Sequence, residues 1–229
     1  MIRKLGAAML VLGVLLLAWV GVTVTIGDPF TSLYTSHEQH ILSQRLDAID
    51  RQWAPGKSLV SAAESKLLRR QRALAALRAR AAAFRASLHD GQPIGRIRIP
   101  RLHLSMVLVQ GTSESDLAKG PGHYDAASGE NTDLPGMGGV IGIAGHRTTF
   151  LHPFRHIDDL RSGDMILLAM PYGTFRYTVY YHKVVSSTDW SILRRRVFEK
   201  LVLSACHPLY SASHRWVVFA RLSAAPAGL

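Results

Sequence analysis

The chain has 229 residues, of which 48% are hydrophobic and 19% charged, and its formal net charge is +11. Its single cysteine, Cys206, excludes an internal disulfide bond. The positive charge favours anionic partners such as lipid headgroups or wall polymers. Because the residue types change sharply along the chain, we divide it into three segments, residues 1–28, 29–92 and 93–229.

The first segment contains 22 consecutive uncharged residues, Leu5–Ile26. At 1.5 Å per residue, a helix of that length crosses a hydrocarbon core of about 30 Å. A cleaved signal peptide is the alternative, but it would have a shorter apolar core and a small-x-small cleavage site. Arg3 and Lys4 precede the span, so the positive-inside rule keeps the N-terminus in the cytoplasm. We therefore predict a single-pass cell-membrane protein whose remaining chain is extracytoplasmic.

The second segment is helical in composition and rich in Arg and Ala. From about Ser36 to Leu88 good helix formers dominate, and Pro55–Gly56 predicts a break between two helices. Apolar residues follow one face of the second helix, with several at seven-residue spacing: Leu67, Leu74, Leu77, Ala81, Phe84 and Leu88.

The second helix is also strongly basic, with seven Lys or Arg residues and one Glu between residues 64 and 85. Three uses of this helix stay open. It docks on its own domain or spaces that domain from the membrane, it self-associates through the apolar stripe, or it contacts anionic lipids or wall polymers. The predicted location outside the cytoplasm argues against nucleic acid as a partner.

From residue 93 the pattern changes to short strands separated by turns. In the strand that begins at Thr174, Phe175, Tyr177 and Val179 fall on one face, which is the period-2 signature of a half-buried strand. The predicted strands are residues 94–99, 102–109, 140–144, 164–170, 174–185, 200–206 and 215–222. Seven or eight strands in this length predict a closed or nearly closed β-barrel. Short helices fit at residues 113–118 and 153–160.

Cys206 lies at the end of the predicted strand 200–206. It shares a face with Ser204, whereas His207 points to the opposite face and is a poor choice of base for the thiol. Pro208 ends the strand, which leaves the thiol at an open strand end that a substrate can reach. The structural alternative is a cysteine that simply packs as a small hydrophobic residue.

Two further residues favour a nucleophilic cysteine. Arg215 begins the next strand after a seven-residue loop, so an antiparallel return brings it close to Cys206. A guanidinium there favours the thiolate of a thiol with an ordinary pKa of about 8.5. It also stabilises the oxyanion that forms when a carbonyl is attacked. His146 would act as general acid toward the leaving amine. The alternatives are that His146 is one of the eleven histidines without a catalytic role and that Arg215 is a surface arginine at the start of a strand.

A metal site is not predicted. The candidate ligands His152, His156, His207 and His214 lack the H-E-x-x-H or C-x-x-C spacing of metal sites. We therefore expect neither a metal nor a cofactor.

Four motifs occur in order: Leu117–Tyr124 (Leu-Ala-Lys-Gly-Pro-Gly-His-Tyr), Ala144–Phe154 (with Ala-Gly-His-Arg-Thr-Thr and His-Pro-Phe), Leu203–Pro208 (Leu-Ser-Ala-Cys-His-Pro) and Arg215–Val218. Together they resemble the sortase family of cysteine transpeptidases. The stretch Arg147–Thr149, the pair His207–Pro208 and the segment Gly27–Tyr34 are most similar to class E sortases of high-GC Gram-positive bacteria. The resemblance covers about residues 94–222 and leaves out the basic helix.

The resemblance implies that residues 93–229 form an eight-stranded catalytic β-barrel. The fold is then mainly β with short helices, preceded by a transmembrane helix in residues 1–28 and an extracytoplasmic helical segment in residues 29–92. The family's catalytic histidine, cysteine and arginine correspond to His146, Cys206 and Arg215.

Substrate contacts are expected at Thr148, Ser204 and Ala205. The last of these is a departure, because sortases usually have a threonine immediately before the cysteine. The missing hydroxyl bears on specificity more than on the reaction type.

The implied reaction cleaves a sorting signal such as Leu-Pro-x-Thr-Gly or Leu-Ala-x-Thr-Gly between Thr and Gly, through a thioester on Cys206. The partners are secreted proteins with C-terminal sorting signals, an amine of a peptidoglycan precursor and the cell membrane. The product is a protein joined covalently to the cell wall. Two alternatives stay open, namely a membrane-anchored cysteine hydrolase that uses water and a non-catalytic module that binds the wall.

Overall fold

The structure, a computed structural model, describes residues 2–25, 28–54, 66–125 and 132–226. Its α-helices are α1 (Ile2–Thr25), α2 (Pro29–Trp53), α3 (Lys66–Ala86) and the short α4 (Glu114–Leu117). The predicted break at residues 55–56 lies outside the described residues. Within α1, Lys4–Thr23 is long and apolar enough to cross a membrane and has no buried side chains, so it is a candidate transmembrane span.

Eight strands form a closed barrel in the order β1-β2-β3-β4-β7-β8-β6-β5, which confirms the predicted fold class. The strands are β1 (Pro93–Ile99), β2 (Leu104–Gln110), β3 (Gly122–His123), β4 (Val140–Ala144), β5 (Met165–Met170), β6 (Gly173–Ser186), β7 (Lys200–His207) and β8 (His214–Ala224). The pairs β2–β3 and β4–β7 are parallel, and the other neighbouring pairs are antiparallel.

Three local features differ from the sequence-based expectation. Strand β2 begins two residues late because Pro100–Leu102 forms a 3₁₀ turn, which ends at His103 with φ 50°. The strand β3 has only two residues, which is too short to show any alternation. The helix expected at residues 153–160 is a series of turns with one 3₁₀ turn, Ile157–Asp159.

The two faces of β7 pack into different clusters, as the alternation predicted. Leu201, Leu203 and Ala205 point into the main apolar core, which is inside the barrel. Val202 belongs to a second cluster with Val217 of β8. Since successive side chains of a strand alternate, Cys206 follows the face that does not enter the main core.

Helix α2 lies against strands β1 and β2. Its buried Leu42 and Leu46 form a cluster with Val107 and Val109 of β2. Gln39 adds polar contacts there, because its amide donates to the Val107 carbonyl at 3.1 Å and its Oε1 accepts from the Val107 N–H at 2.7 Å. These contacts fix α2 along the wall of the barrel.

The apolar stripe of α3 docks on the barrel through its C-terminal half, in agreement with the first of the three alternatives. Ala81 and Phe84 are buried in the main core, and the Phe84 ring packs edge-on against Trp53 of α2 and Tyr172. Toward the N-terminus of α3 the stripe becomes more accessible: Leu77 and Leu74 are half-buried, and Leu67 is 67% exposed. The stripe therefore ties α3 to both the barrel and α2.

His123 of β3 is fully buried in a polar network. Its Nδ1 lies 3.1 Å from Gln110 Oε1, and its Nε2 lies 3.0 Å from both the Asp133 carbonyl and Thr132 Oγ1. Burial lowers the pKa of His123 to about 4. The imidazole is therefore neutral in the folded protein at neutral pH.

This burial makes the free energy of unfolding depend on pH. Because the folded-state pKa lies below the unfolded value of about 6.5, protons bind preferentially to the unfolded chain as the pH falls. The contribution of His123 is complete above pH 6.5 and decreases toward pH 4, by about 3 kcal/mol. We expect His123→Gln to flatten this acid dependence in urea unfolding of the full chain in detergent. The exposed His37→Gln should retain the wild-type slope, and an unchanged slope in His123→Gln would contradict the assignment.

Candidate active site

Cys206 lies near the end of β7, directly opposite Arg215 on β8 in the antiparallel register. The thiol is partly exposed. The strand pairing therefore brings together the cysteine and the arginine that the sequence predicted to be neighbours.

His146 joins them through the neighbouring strand. Strand β4 runs parallel to β7 with Ala144 opposite Ser204, and His146 follows two residues after β4 ends. Because the carboxyl ends of two parallel strands meet at the same barrel edge, His146 and Cys206 emerge side by side. One cavity of about 320 Å³ is lined by Thr112, Leu117, Tyr124, Ala144, Gly145, His146, Trp190, Ser204, Ala205, Cys206 and Arg215.

The imidazole of His146 is held mainly by packing. Its ring lies 5.2 Å from the ring of Phe150, centroid to centroid. Its Nε2 is buried and has no hydrogen-bond partner among the residues that the structure describes. Burial lowers the pKa of His146, while the charge of Glu114 opposes this shift. At neutral pH the imidazole is therefore neutral, and it lines the same cavity as the thiol.

The guanidinium of Arg215 is anchored by its own loop. Nη1 donates to the carbonyls of Ala212 and His214 at 3.0 and 3.1 Å. In the described part of the chain, Nε and Nη2 have no protein acceptor. These donors can serve a substrate oxygen that enters the cavity.

Tyr124 is a cavity residue that the sequence analysis did not single out. Its hydroxyl lies 2.9 Å from Ser204 Oγ, and its ring packs edge-on against Trp190 at 5.9 Å. Burial raises the pKa of Tyr124, opposed by the Ser204 hydrogen bond and the charge of Arg215. Its place in the Gly-Pro-Gly-His-Tyr motif was the available signal.

The three residues predicted to contact substrate are placed differently. Ser204 and Ala205 line the cavity, and the Ala205 methyl also belongs to the main core. Thr148 is not among the described residues that line the cavity, so its role stays a prediction. The position that usually carries a threonine is thus at the boundary between the core and the cavity.

A sortase domain matches residues 97–223, which is more than half of the chain and nearly the whole barrel. The chain belongs to the sortase family. Sortase D of Bacillus subtilis (strain 168) is 33% identical to it over 135 residues, which are 57% of this chain and 64% of that protein. Sortase SrtE1 of Streptomyces coelicolor is 30% identical over 148 residues, which are 59% of this chain and 42% of that protein.

A solved structure shows the same fold. It is sortase E1 from Streptomyces coelicolor with a tripeptide in the active site, which superimposes with a TM-score of 0.57 and 28% identity. The match covers 59% of this chain and 91% of that structure. The chain spans less than two thirds of the length of either curated relative.

Arg147 ties the His146 loop of this sortase to the Cys206 strand. Its side chain is 2% exposed and forms an ion pair with Asp158 at 2.8 Å. Nε and Nη2 donate to the Arg155 carbonyl at 3.2 and 3.0 Å. Nη1 donates to the Cys206 carbonyl at 3.4 Å. One buried guanidinium thus connects the loop after His146 to the residue that carries the thiol.

The loop that Arg147 enters also contains unusual backbone. Phe150, Leu151 and His152 are three consecutive non-glycine residues with positive φ, at 52°, 59° and 35°. Such conformations cost on the order of 1–3 kcal/mol each and persist only where surrounding contacts impose them. The loop is closed by a hydrogen bond from the Phe154 N–H to the His146 carbonyl at 3.0 Å. The position of His146 therefore depends on contacts that hold a strained segment.

We expect Arg147→Met to lower the free energy of unfolding by about 2–3 kcal/mol, because it leaves buried carbonyls without a donor. Asp158→Asn should cost less than about 1 kcal/mol, since its carboxylate is 40% exposed. Urea unfolding of the full chain measures both values, with the exposed Arg161→Met as the matched control. Equal losses in all three variants would contradict a specific role of Arg147.

Proposed function

We propose that this sortase is a membrane-anchored cysteine transpeptidase of class E type. The observation that carries the proposal is the convergence of Cys206, His146 and Arg215 on one cavity, at the edge of the barrel where β4, β7 and β8 meet. This arrangement supplies a nucleophile, a proton carrier and an oxyanion donor.

The first half-reaction forms a thioester. His146 takes the proton of the Cys206 thiol, and the thiolate sulfur attacks the carbonyl carbon of the threonine in the sorting signal. The Nε and Nη2 donors of Arg215 stabilise the oxyanion. The carbon–nitrogen bond to glycine then breaks, and His146 returns the proton to the departing amine.

The second half-reaction consumes the thioester. A primary amine, which we take to be that of a peptidoglycan precursor, loses a proton to His146 and attacks the same carbonyl carbon. A new amide bond forms, the carbon–sulfur bond breaks, and the thiol of Cys206 regains its proton. The substrate protein ends covalently joined to the cell-wall amine.

The cavity fits an extended peptide with small or apolar side chains. Leu117, Tyr124 and Trp190 supply apolar walls, and Ser204 and the Tyr124 hydroxyl supply polar contacts. The tripeptide in the active site of sortase E1 supports a peptide ligand. We assign a Leu-Pro-x-Thr-Gly or Leu-Ala-x-Thr-Gly signal, with the smaller Ala205 leaving a deeper, less polar floor than threonine would.

The membrane anchor contributes to the reaction. We assign Lys4–Thr23 as a single transmembrane span with the N-terminus in the cytoplasm and the barrel outside. Substrates that are still tethered by their own C-terminal span then meet the enzyme in two dimensions, at a raised effective concentration.

We expect Cys206→Ala to abolish both cleavage and ligation of a Leu-Pro-x-Thr-Gly peptide, because no thioester can form. Arg215→Lys keeps the charge but loses the planar donors, so we expect kcat/KM to fall about 100-fold. Mass spectrometry of products with and without an added amine measures both reactions. If hydrolysis to the free carboxylic acid dominates even at saturating amine, the hydrolase alternative is favoured. Ligation by Cys206→Ala would refute the proposal.

The lowered pKa of His146 sets the acid side of the pH profile. Because the reaction begins with neutral imidazole, kcat/KM should rise with pH through the pKa of His146, which burial places below its ordinary value of 6.5. We expect the acidic limb of a peptide-cleavage profile to lie below pH 6.5 and to be absent in His146→Gln. An acidic limb above pH 7 would contradict this protonation scheme.

A further inference from the structure

The first turns of α2 contact the loop that follows His146. The hydroxyl of Thr31 accepts a hydrogen bond from the Phe150 N–H at 3.2 Å and donates to the Asp28 carbonyl at 3.1 Å. The ring of Tyr34 packs edge-on against the Phe150 ring, with centroids 6.4 Å apart. Phe150 is therefore held from outside the barrel by two residues of one helical turn.

Phe150 also packs against the imidazole of His146. The two rings lie 5.2 Å apart and are tilted by 37°. No group in the described part of the chain hydrogen-bonds His146 Nε2, so ring packing, rather than a bonded partner on that nitrogen, orients the imidazole. A displacement of Phe150 would consequently change the direction of His146.

The backbone at Phe150 does not hold its conformation unaided. It begins the run of three left-handed residues, Phe150 to His152, which relax to ordinary conformations unless contacts impose them. The His152 N–H donates to the Thr149 carbonyl at 2.8 Å, and Leu151 packs on the main core. At Phe150 itself the backbone N–H is fixed by Thr31.

Helix α2 is itself attached to the barrel by several hydrogen bonds. Besides the contacts of Gln39, the Thr35 hydroxyl donates to the Ala118 carbonyl at 2.7 Å and is fully buried. Ser43 accepts from Arg96 Nη2 of β1 at 2.9 Å. These bonds follow one face of α2 and fix the first turns relative to the barrel.

We propose that α2 is part of the active site and that Thr31 and Tyr34 are positioning residues, which hold Phe150 so that its ring orients His146 toward Cys206. The inference rests on the proposed transpeptidase function for its effect on turnover. Its effect on the imidazole itself can be measured without turnover.

The test uses the full chain in detergent micelles. Thr31→Val removes the hydroxyl at constant shape, and Tyr34→Leu removes the ring. Thr31→Ser keeps the hydroxyl, and Leu33→Ala alters a residue of the same turn that is 71% exposed. Turnover is measured with a sorting-signal peptide and amine. The titration of His146 is followed by NMR of labelled histidine, and its signal is assigned by its absence in His146→Gln.

We expect Thr31→Val and Tyr34→Leu each to lower kcat about tenfold with KM changed less than about twofold, because substrate binding is untouched while the general acid is misplaced. In both variants the titration of His146 should move up toward 6.5, since a less tightly packed imidazole is better solvated. Thr31→Ser and Leu33→Ala should match the wild type in both measurements.

Wild-type kcat and titration in Thr31→Val and Tyr34→Leu would overturn the inference. So would a loss of kcat with the titration of His146 unchanged, which would indicate a general loss of stability. If the wild-type chain itself ligates no peptide, the proposed function fails, and the histidine titration alone then decides whether α2 positions His146.

Discussion

The parallel pairing of β4 with β7 is the constraint on which the site depends. It sets Ala144 opposite Ser204, so that two residues 60 positions apart in sequence, His146 and Cys206, emerge from neighbouring strand ends. A slip of one residue in β7 would turn the thiol into the core and bring a core side chain out to the cavity. The buried faces of both strands make such a slip costly. The antiparallel return of β8 then places Arg215 opposite Cys206, where the carbonyls of Ala212 and His214 hold its guanidinium.

The three residues that we propose to be catalytic differ in how the fold supports them. Cys206 and Arg215 lie on paired strands, whose hydrogen-bond ladder determines where they point. His146 lies beyond the end of its strand, on a loop with a strained backbone. Its position has to be supplied by the buried Arg147 on one side and by the Phe150 contacts on the other. The strand pairing alone therefore positions Cys206. The position of His146 depends in addition on contacts with residues that are distant in sequence.

Much of the barrel could be predicted from sequence, because alternation in strands such as β6 and β7 reports directly which side chains enter the core. The turn between β7 and β8 predicted that Arg215 lies near Cys206, whereas the choice of His146 among the histidines depended on the resemblance of its motif to sortases. The parity argument about Cys206 needed nothing beyond that alternation. Strand β3 was not predicted, because two residues are too few to show an alternating pattern. The contacts of Arg147, Tyr124 and Thr31 were not predicted, because they join segments that are far apart in sequence. Arginine, tyrosine and threonine are also common on solvent-exposed surfaces, so the residue types alone give no signal.

The short distance between α1 and α2 has a consequence for what the enzyme can reach. Residues 26–28 separate the two helices, and three residues extend at most about 11 Å. If α1 spans the membrane, α2 starts at the bilayer surface, and the loop beside Thr31 is close to the lipid headgroups. A substrate would then be cut only if few residues separate its scissile bond from its own membrane span. Under the proposed function, the short link between α1 and α2 would therefore select substrates by the number of residues between their cleavage site and their membrane span.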